Sequence, residues 1–383
     1  MMEESDKHPT ISVIIPAYNQ AEYISESIHS VLSQTCPDFE LIVVNDGSTD
    51  DTAQVIANIQ DPRLRVIWQP NAGLSAARNT GIRESTAPLI TFLDADDCFF
   101  PEKLEILSRF LDENPNIGLV SGGTLVINQR GEPLRLNTGF PAGLDLPFFL
   151  MHNPFSACAV MVRRSWINKV GVFDESLKAC EDWDLWHRLL FAGCQFAWVE
   201  HAVVTYRYHS GQMTREAERM REAIFLVLDK FYKQPDLPKN IMAMKDLVYS
   251  SGHIHAAAYE YFACDFDAGN KDLTDAIRLD PTLIVNNYQK LVDTLIGWTD
   301  NPRSQNQSNL LEQIIKYAPK GYPDLIRALL QARADVLLRP LFSGSRSDWV
   351  AHRKDLLNAV RFKPQWLLNR GVLRMLVYAY LRV

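Results

Sequence analysis

Three carboxylates within four positions, Asp94, Asp96 and Asp97, close a short apolar run, Leu89-Ile90-Thr91-Phe92-Leu93. A short apolar run with β-branched residues and an abrupt polar end reads as a buried parallel strand. Its carboxyl end is where open α/β sheets bind ligands. Carboxylates this close repel unless something positive lies between them. A hard divalent cation, Mg or Mn, bridging to a diphosphate does that. The bland alternative is a solvated acidic turn ahead of a helix near Pro101, and an isolated Asp-x-Asp does not separate the two. A second acidic group, Glu181-Asp182-Trp183-Asp184, opens a segment whose Leu185, Leu189 and Leu190 mark an apolar helix face. A carboxylate at that place gains from the helix dipole and can cap the N-terminus, which by itself explains Asp182.

The segments before Asp94 determine whether a site can form. Residues 11–15, 41–44 and 64–68 are apolar, β-rich runs, and residues 22–33 and 74–83 carry helical periodicity. A helix with Val55, Ile56 and Ile59 inward follows the second strand, capped by Thr49 or Asp50. Alternating strands and helices predict βαβ units and an α/β fold with a mainly parallel sheet. Each strand then ends in polar or turn residues: Ala17, Tyr18 and Asn19; Asp46; Asn71 and Gly73, with Arg78 on the next helix; Asp94 and Asp96. Four such ends share one sheet edge, which by position is a nucleotide-binding crevice. Neither a Gly-x-x-x-x-Gly-Lys-Ser/Thr loop nor a Gly-x-Gly-x-x-Gly loop follows the first strand. The phosphates must therefore be held another way, for which a metal at Asp94/Asp96 is the candidate and Arg78 a candidate helper.

Composition bounds the remaining choices. The 383 residues suffice for two domains, and a net charge of −7 argues against a general nucleic-acid binder. Six scattered cysteines without a Cys-x-x-Cys pair fit reduced thiols in a cytoplasm. Residues 1–10 are polar and acidic, unlike a signal peptide, and no run reaches the roughly 18–20 apolar residues of a membrane helix. Residues 339–383 differ from the rest, with nine Lys/Arg against two Asp/Glu. That tail suits an anionic membrane or a polyanionic partner as well as a solvated basic face.

Four motifs, Ser12-Val-Ile-Ile-Pro-Ala-Tyr-Asn19, Val43-Val-Asn-Asp-Gly-Ser-Thr-Asp50, Asn71-Ala-Gly-Leu-Ser-Ala-Ala-Arg-Asn79 and Phe92-Leu-Asp-Ala-Asp-Asp97, together resemble the family 2 glycosyltransferases over residues 10–215. The resemblance implies a GT-A fold. It implies that Pro16, Ala17, Tyr18, Asn19 and Asp46 hold the nucleotide, usually at a uracil base, and that Asp94 lies near the ribose while Asp96 binds the metal. Val170-Gly-Val-Phe-Asp-Glu175 resembles the family's Gly-x-Phe-Asp-Glu turn, with Phe173 as packing. The resemblance makes Asp182 the general base for an acceptor hydroxyl, with Glu181 supporting it. It also makes His209 of Tyr206-Arg207-Tyr208-His209 a metal ligand or a diphosphate contact, which leans towards Mn. Residues 119–164 would serve the acceptor side, with a hairpin turn at Gly131-Glu132-Pro133.

Beyond residue 214 the resemblance stops. Residues 216–232 and 247–266 read as helices, and residues 297–308 as a polar loop. Residues 270–281 and 355–364 resemble the second helix and exit of a tetratricopeptide repeat, two copies too far apart for a solenoid. Residues 372–381 are apolar but too short to span a bilayer. The expected organisation is a disordered N-terminus over 1–9, a GT-A catalytic domain over 10–214 and an all-helical extension over 215–383. The expected function is that of an inverting, non-processive, metal-dependent glycosyltransferase, cytoplasmic or peripheral at the inner face of a membrane. It would use a UDP-linked donor and a glycan or lipid-linked acceptor, in surface polysaccharide or glycolipid synthesis. A processive synthase would add membrane spans and a Gln-x-x-Arg-Trp motif, and Gln365-Trp366 does not match it. The alternative is a non-catalytic scaffold on the same fold that works through its helical tail.

Overall fold

Seven consecutive residues of β1 (Ile11–Ala17) are buried, as a strand covered on both faces requires. The structure, a computed structural model, describes residues 9–299, 307–319 and 321–381. The N-terminus expected to be disordered therefore lies outside the described residues except for Pro9. The chain divides into two units: one runs to Thr214 and includes Arg219–Val248, and the other comprises Arg215–Glu218 and the residues from Tyr249 on.

In the first unit β1 is followed by α1 (Ile24–Leu32), β2 (Phe39–Asp46), α2 (Thr52–Ala57), β3 (Leu64–Gln69), α3 (Leu74–Glu84) and β4 (Leu89–Phe92). β2 and β4 flank β1 and β3 pairs with β2, all in parallel. Then come β5 (Cys98–Phe99), α4 (Lys103–Glu113), β6 (Ile117–Asn128), β7 (Pro133–Asn137), α5 (Leu146–Met151), β8 (Val160–Arg163), α6 (Arg164–Val170), α7 (Glu181–Phe191) and β9 (Gln195–Tyr208). The order across the sheet is β3-β2-β1-β4-β8-β6-β9-β5, with β7 beside β6. The sheet is mixed: β8 runs antiparallel to β4 and β6, while β6 and β9 are parallel. Helices α8 (Ala217–Tyr232) and α9 (Lys239–Ala243) follow, then α10 (Lys245–Phe262). The catalytic domain expected to end at residue 214 thus gains the segment 219–248.

Alternation along β1 divides the core. Val13 and Ile15 pack on one face with Leu41, Val43, Ile28 and Leu107; Ile14 packs on the other with Ile82, Phe92, Leu185 and Trp186. Gly81 lets α3 lie directly on β1, because a Cβ there would come 2.3 Å from a methyl of Ile14. Arg78, one turn earlier, is on the same inward side of α3.

The second unit continues with α11 (Phe266–Leu279), α12 (Val285–Thr299), α13 (Gln307–Tyr317), α14 (Pro323–Phe342), α15 (Arg346–Ala351), α16 (Arg353–Phe362) and α17 (Arg370–Leu381). The helix expected over 247–266 breaks after Phe262. Cys264 takes a left-handed conformation at φ 64°, and the Asp265 side chain accepts a hydrogen bond from Ala268 N to start α11. The loop expected over 297–308 is helical at both ends, since α12 reaches Thr299 and α13 begins at Gln307; residues 300–306 lie outside those described. Both repeat-like pieces end alike, as α11 and α16 each run into a proline-led 3-10 turn. Among the described residues no helix is long and apolar enough to cross a membrane.

Candidate active site

The ends of β1 and β2 are sewn together by short polar side chains. Asn19, at φ 53°, accepts a bond from Thr49 N (2.8 Å) and donates its own N–H to Ser48 Oγ (3.1 Å). Asp50 accepts bonds from Ala21 N and from both Thr52 N and Thr52 Oγ1. The carboxylate of Asp46 is buried and accepts three bonds from the end of β3 and its following loop: Gln69 Nε2 (2.7 Å), Ala72 N (2.9 Å) and Gly73 N (2.8 Å). Gly47 permits this closeness, since its φ is +71° and a Cβ would meet Asn71 N at 2.7 Å. Pro16 and Ala17 lie in β1, and Tyr18 beyond them is 46 % exposed.

The acidic turn after β4 is less uniform than its sequence suggests. Asp94 is neutralised by Arg78, whose Nη2 lies 2.6 Å from its carboxylate. Asp96 is partnered by His209, Nε2 to Oδ2 at 2.9 Å. Asp94 and Asp96 thus each meet a separate positive or donor group, Arg78 and His209. Asp97 points inward, is buried, and accepts a bond from Arg207 N (2.8 Å). Burial, with Asp96 and Asp94 nearby, pushes its carboxyl well above the usual range. Arg207 also donates Nε to the Asp96 carbonyl (3.0 Å) and pairs with Glu26 (2.6 Å). It fixes the end of β9 to the acidic turn and so carries His209 to Asp96. Sequence reasoning gave Arg207 no role, although its place in Tyr206-Arg207-Tyr208-His209 was the available signal.

Arg78 is a buried charge. Its other terminal nitrogen, Nη1, donates to Glu181 at the start of α7, and the guanidinium lies over the Phe173 ring at 5.3 Å. Burial alone would lower its pKa, but the charges of Asp94 and Glu181 outweigh burial and raise it. Arg78 was expected to help hold phosphate; here both terminal nitrogens are engaged in joining the Asp94 turn to α7. Asn79, next along α3, clamps the Gly-x-Phe-Asp-Glu turn, exchanging bonds with Phe173 N and O and reaching Glu175.

Asp182 sits beside Glu181, in the first turn of α7. One oxygen, Oδ1, accepts from Trp183 N (2.7 Å) and from Asn153 Nδ2 (3.1 Å). Burial and the charge of Glu181 push its carboxyl up to about 7, against the opposing pull of Arg78. A carboxyl poised there can exchange a proton at neutral pH. Asn153 is a second residue that the sequence left without a task.

For a divalent cation, Asp96 and His209 offer one carboxylate oxygen and one imidazole nitrogen side by side, a donor set that suits Mn and leaves positions for phosphate oxygens. Ligand atoms of Asp94, Asp97 and Cys158 also lie within 4.8 Å of one another. Burial pushes the Asp97 carboxyl and the Cys158 thiol strongly towards their protonated forms, and a protonated thiol is no ligand for a hard cation. The Asp96/His209 pair fits the ion better.

Residues 12–171 match the family model described as glycosyl transferase family 2. An uncharacterized glycosyltransferase of Rickettsia typhi is 32% identical over 250 residues, which is 63% of this chain and 77% of that protein. The putative teichuronic acid biosynthesis glycosyltransferase TuaG of Bacillus subtilis is 30% identical over 202 residues, 52% of this chain and 79% of TuaG. Among solved structures, the mannosyltransferase PcManGT of Pyrobaculum calidifontis, in complex with GDP-Man and Mn2+, superposes with a TM-score of 0.51 at 17% identity. That likeness covers 81% of this chain and 87% of the other.

Proposed function

Since the chain belongs to glycosyl transferase family 2, we propose that it moves a sugar from a UDP-linked donor to an acceptor hydroxyl with inversion at the anomeric carbon. The observation that carries this reading is the Arg78 bridge, which ties the Asp94 turn, on the donor side, to α7 and its Asp182. Pro16, Ala17, Tyr18, Asn19 and Asp46 lie at the carboxyl ends of β1 and β2 and would hold the nucleotide. The bonds to Asp182 both end on Oδ1, so Oδ2 is the atom that takes the acceptor's proton as its oxygen attacks. One base and one displacement invert the configuration. Glu181 raises the proton affinity of Asp182, and Arg78 is a positioning residue that limits this rise. A divalent cation held by Asp96 and His209 would stabilise negative charge on the departing diphosphate. The name of TuaG, a putative teichuronic acid biosynthesis glycosyltransferase, supports a role in polysaccharide synthesis, and the acceptor we infer is a glycan or a lipid-linked glycan.

The test is a thermal-shift panel of UDP, GDP, CDP and dTDP, each with and without Mn. UDP with Mn should raise the melting midpoint most, by the equivalent of about 2.7 kcal/mol at a hundred times Kd, and Asp96→Ala should remove the Mn-dependent part. If no nucleotide shifts the midpoint in the presence of metal, the donor assignment fails.

A further inference from the structure

We propose that the second unit carries a docking face for an anionic lipid bilayer, formed by α17 and the turn before it. α17 carries apolar residues on both sides. Its inner side, Val372, Met375 and Ala379, is buried in the unit's core. Its outer side repeats at i+3 and i+4 through Arg370, Leu373, Arg374, Val377 and Leu381, all exposed. An ordinary surface helix is polar on that side. Leu381 is 68 % exposed, and Leu368, in the 3-10 turn that leads into the helix, is 85 % exposed.

The charge in this segment is mostly positive. Residues 339–383 carry nine Lys/Arg against two Asp/Glu in a chain whose net charge is −7. Both acids are engaged locally, Asp348 in the capping box of α15 and Asp355 beside His352. Arg353, Lys354, Arg361, Arg370 and Arg374 are all exposed. Leucines that enter the acyl boundary and arginines whose stems lie on it while their heads reach phosphate describe a helix lying in the plane of a membrane. Twelve residues span about 18 Å, too short for the roughly 30 Å hydrocarbon core. A second copy of the chain is a poorer occupant, because a two-fold contact along this stripe gathers the arginines of both copies.

The experiment is co-sedimentation of the full chain with vesicles of phosphatidylcholine alone and of phosphatidylcholine with about one-third phosphatidylglycerol. Binding should be confined to the anionic vesicles and fall with salt. Arg370→Gln and Arg374→Gln should each weaken it roughly fivefold. Leu373→Glu with Val377→Glu should weaken it at least tenfold, with the far-ultraviolet spectrum and the melting midpoint unchanged. If the glutamate pair unfolds the chain, Leu373→Ser with Val377→Ser takes its place, with the same direction expected. No binding to anionic vesicles, or equal binding by wild type and folded variants, overturns the proposal. So does a concentration-dependent dimer that the Leu373 and Val377 variants dissociate without any effect on vesicles.

Discussion

The imidazole Nε2 of His209 lies 2.9 Å from a carboxylate oxygen of Asp96, although 113 positions separate the two residues. Gly211 N donates to the other ring nitrogen, Nδ1, so the neutral ring carries its proton on Nε2 and donates it to Asp96. An entering cation must displace that proton, and the ligand pair should therefore act jointly. Asp96→Ala and His209→Ala should each weaken Mn binding in the presence of UDP, by at least the roughly 10- to 100-fold that loss of a supporting residue costs at metal sites. Calorimetric titration reads this directly, and unchanged Mn affinity in both variants would remove Asp96 and His209 as ligands.

If Asp182 is the base, as proposed, the activity should depend on pH. Its carboxyl, pushed up to about 7 by burial and Glu181, is protonated below that value and acts as a base only above it. The rate should therefore climb as pH rises through about 7 and level off beyond, falling about tenfold per pH unit on the acid side. Glu181→Gln removes a negative neighbour while Arg78 keeps its pull, so the acid limb should move to lower pH. A limb in the same place in both proteins would show that another group sets it.

Activity and stability should part company at Asp182→Asn. The amide oxygen can still accept the bonds from Trp183 N and Asn153, while the proton acceptor is gone. Turnover should drop by about 10²- to 10⁴-fold with UDP affinity retained. A carboxyl whose folded pKa is raised binds more protons folded than unfolded, so Asp182 lowers stability as pH climbs from about 4 towards 7. At pH 8 the variant should then melt no lower than the wild type. Full turnover in Asp182→Asn would favour a different base.

Removing the Arg78 bridge should damage the fold as well as the site. Arg78→Met leaves the buried carboxylate of Glu181 without its cation, a type of loss that costs about 3–5 kcal/mol. Asp94 keeps partial access to water and is 33 % exposed in its side chain, so the lower end of that range applies. Arg78→Lys should recover only part, because an ammonium lacks the planar fork that spans two carboxylates. Urea denaturation midpoints measure both variants, and a midpoint within error of the wild type would deny the bridge its structural weight.

The features written in local sequence were the legible ones. The apolar runs of β1 to β4 and the helical periodicity of α3 follow from side-chain patterning alone. The placement of Asp94 and Asp96 after a strand, and of Asp182 in the first turn of a helix, was legible for the same reason. What the sequence hid is the direction of each side chain once the turns close. Asp94, Asp96 and Asp97 read as one acidic cluster, yet one meets Arg78, one meets His209 and one turns inward to Arg207 N. Those partners sit 16 to 113 positions away, and only the packing of β9 and α3 against the turn selects them. The break after Phe262 was equally invisible, because the apolar pattern runs on while Cys264 goes left-handed.

The same dependence on distant partners fixes where the first unit can be cut. Lys230 of α8 touches Asp174 (2.5 Å) and Asp184 (2.8 Å), and Phe231 packs edge-on against His187 and Phe191 of α7. Met220, Ile224, Val227 and Leu228 of the same helix are buried. A chain ended at residue 214 loses this cover over the helix that carries Asp182, whereas one ended at residue 248 keeps it. The longer chain should stay soluble and bind UDP with Mn; the shorter should melt lower or aggregate. A further sign lies in acid. Burial pushes the Asp174 carboxyl up, but Lys230 and Ser176 outweigh it and hold it at about 2. A depressed carboxyl adds stability that is present above its unfolded pKa and fades as pH falls from about 4 towards 2. Lys230→Met should therefore narrow the stability gap between pH 5 and pH 3 relative to wild type, as read by melting midpoints. Equal melting of the two shortened chains would place α8 outside the working fold.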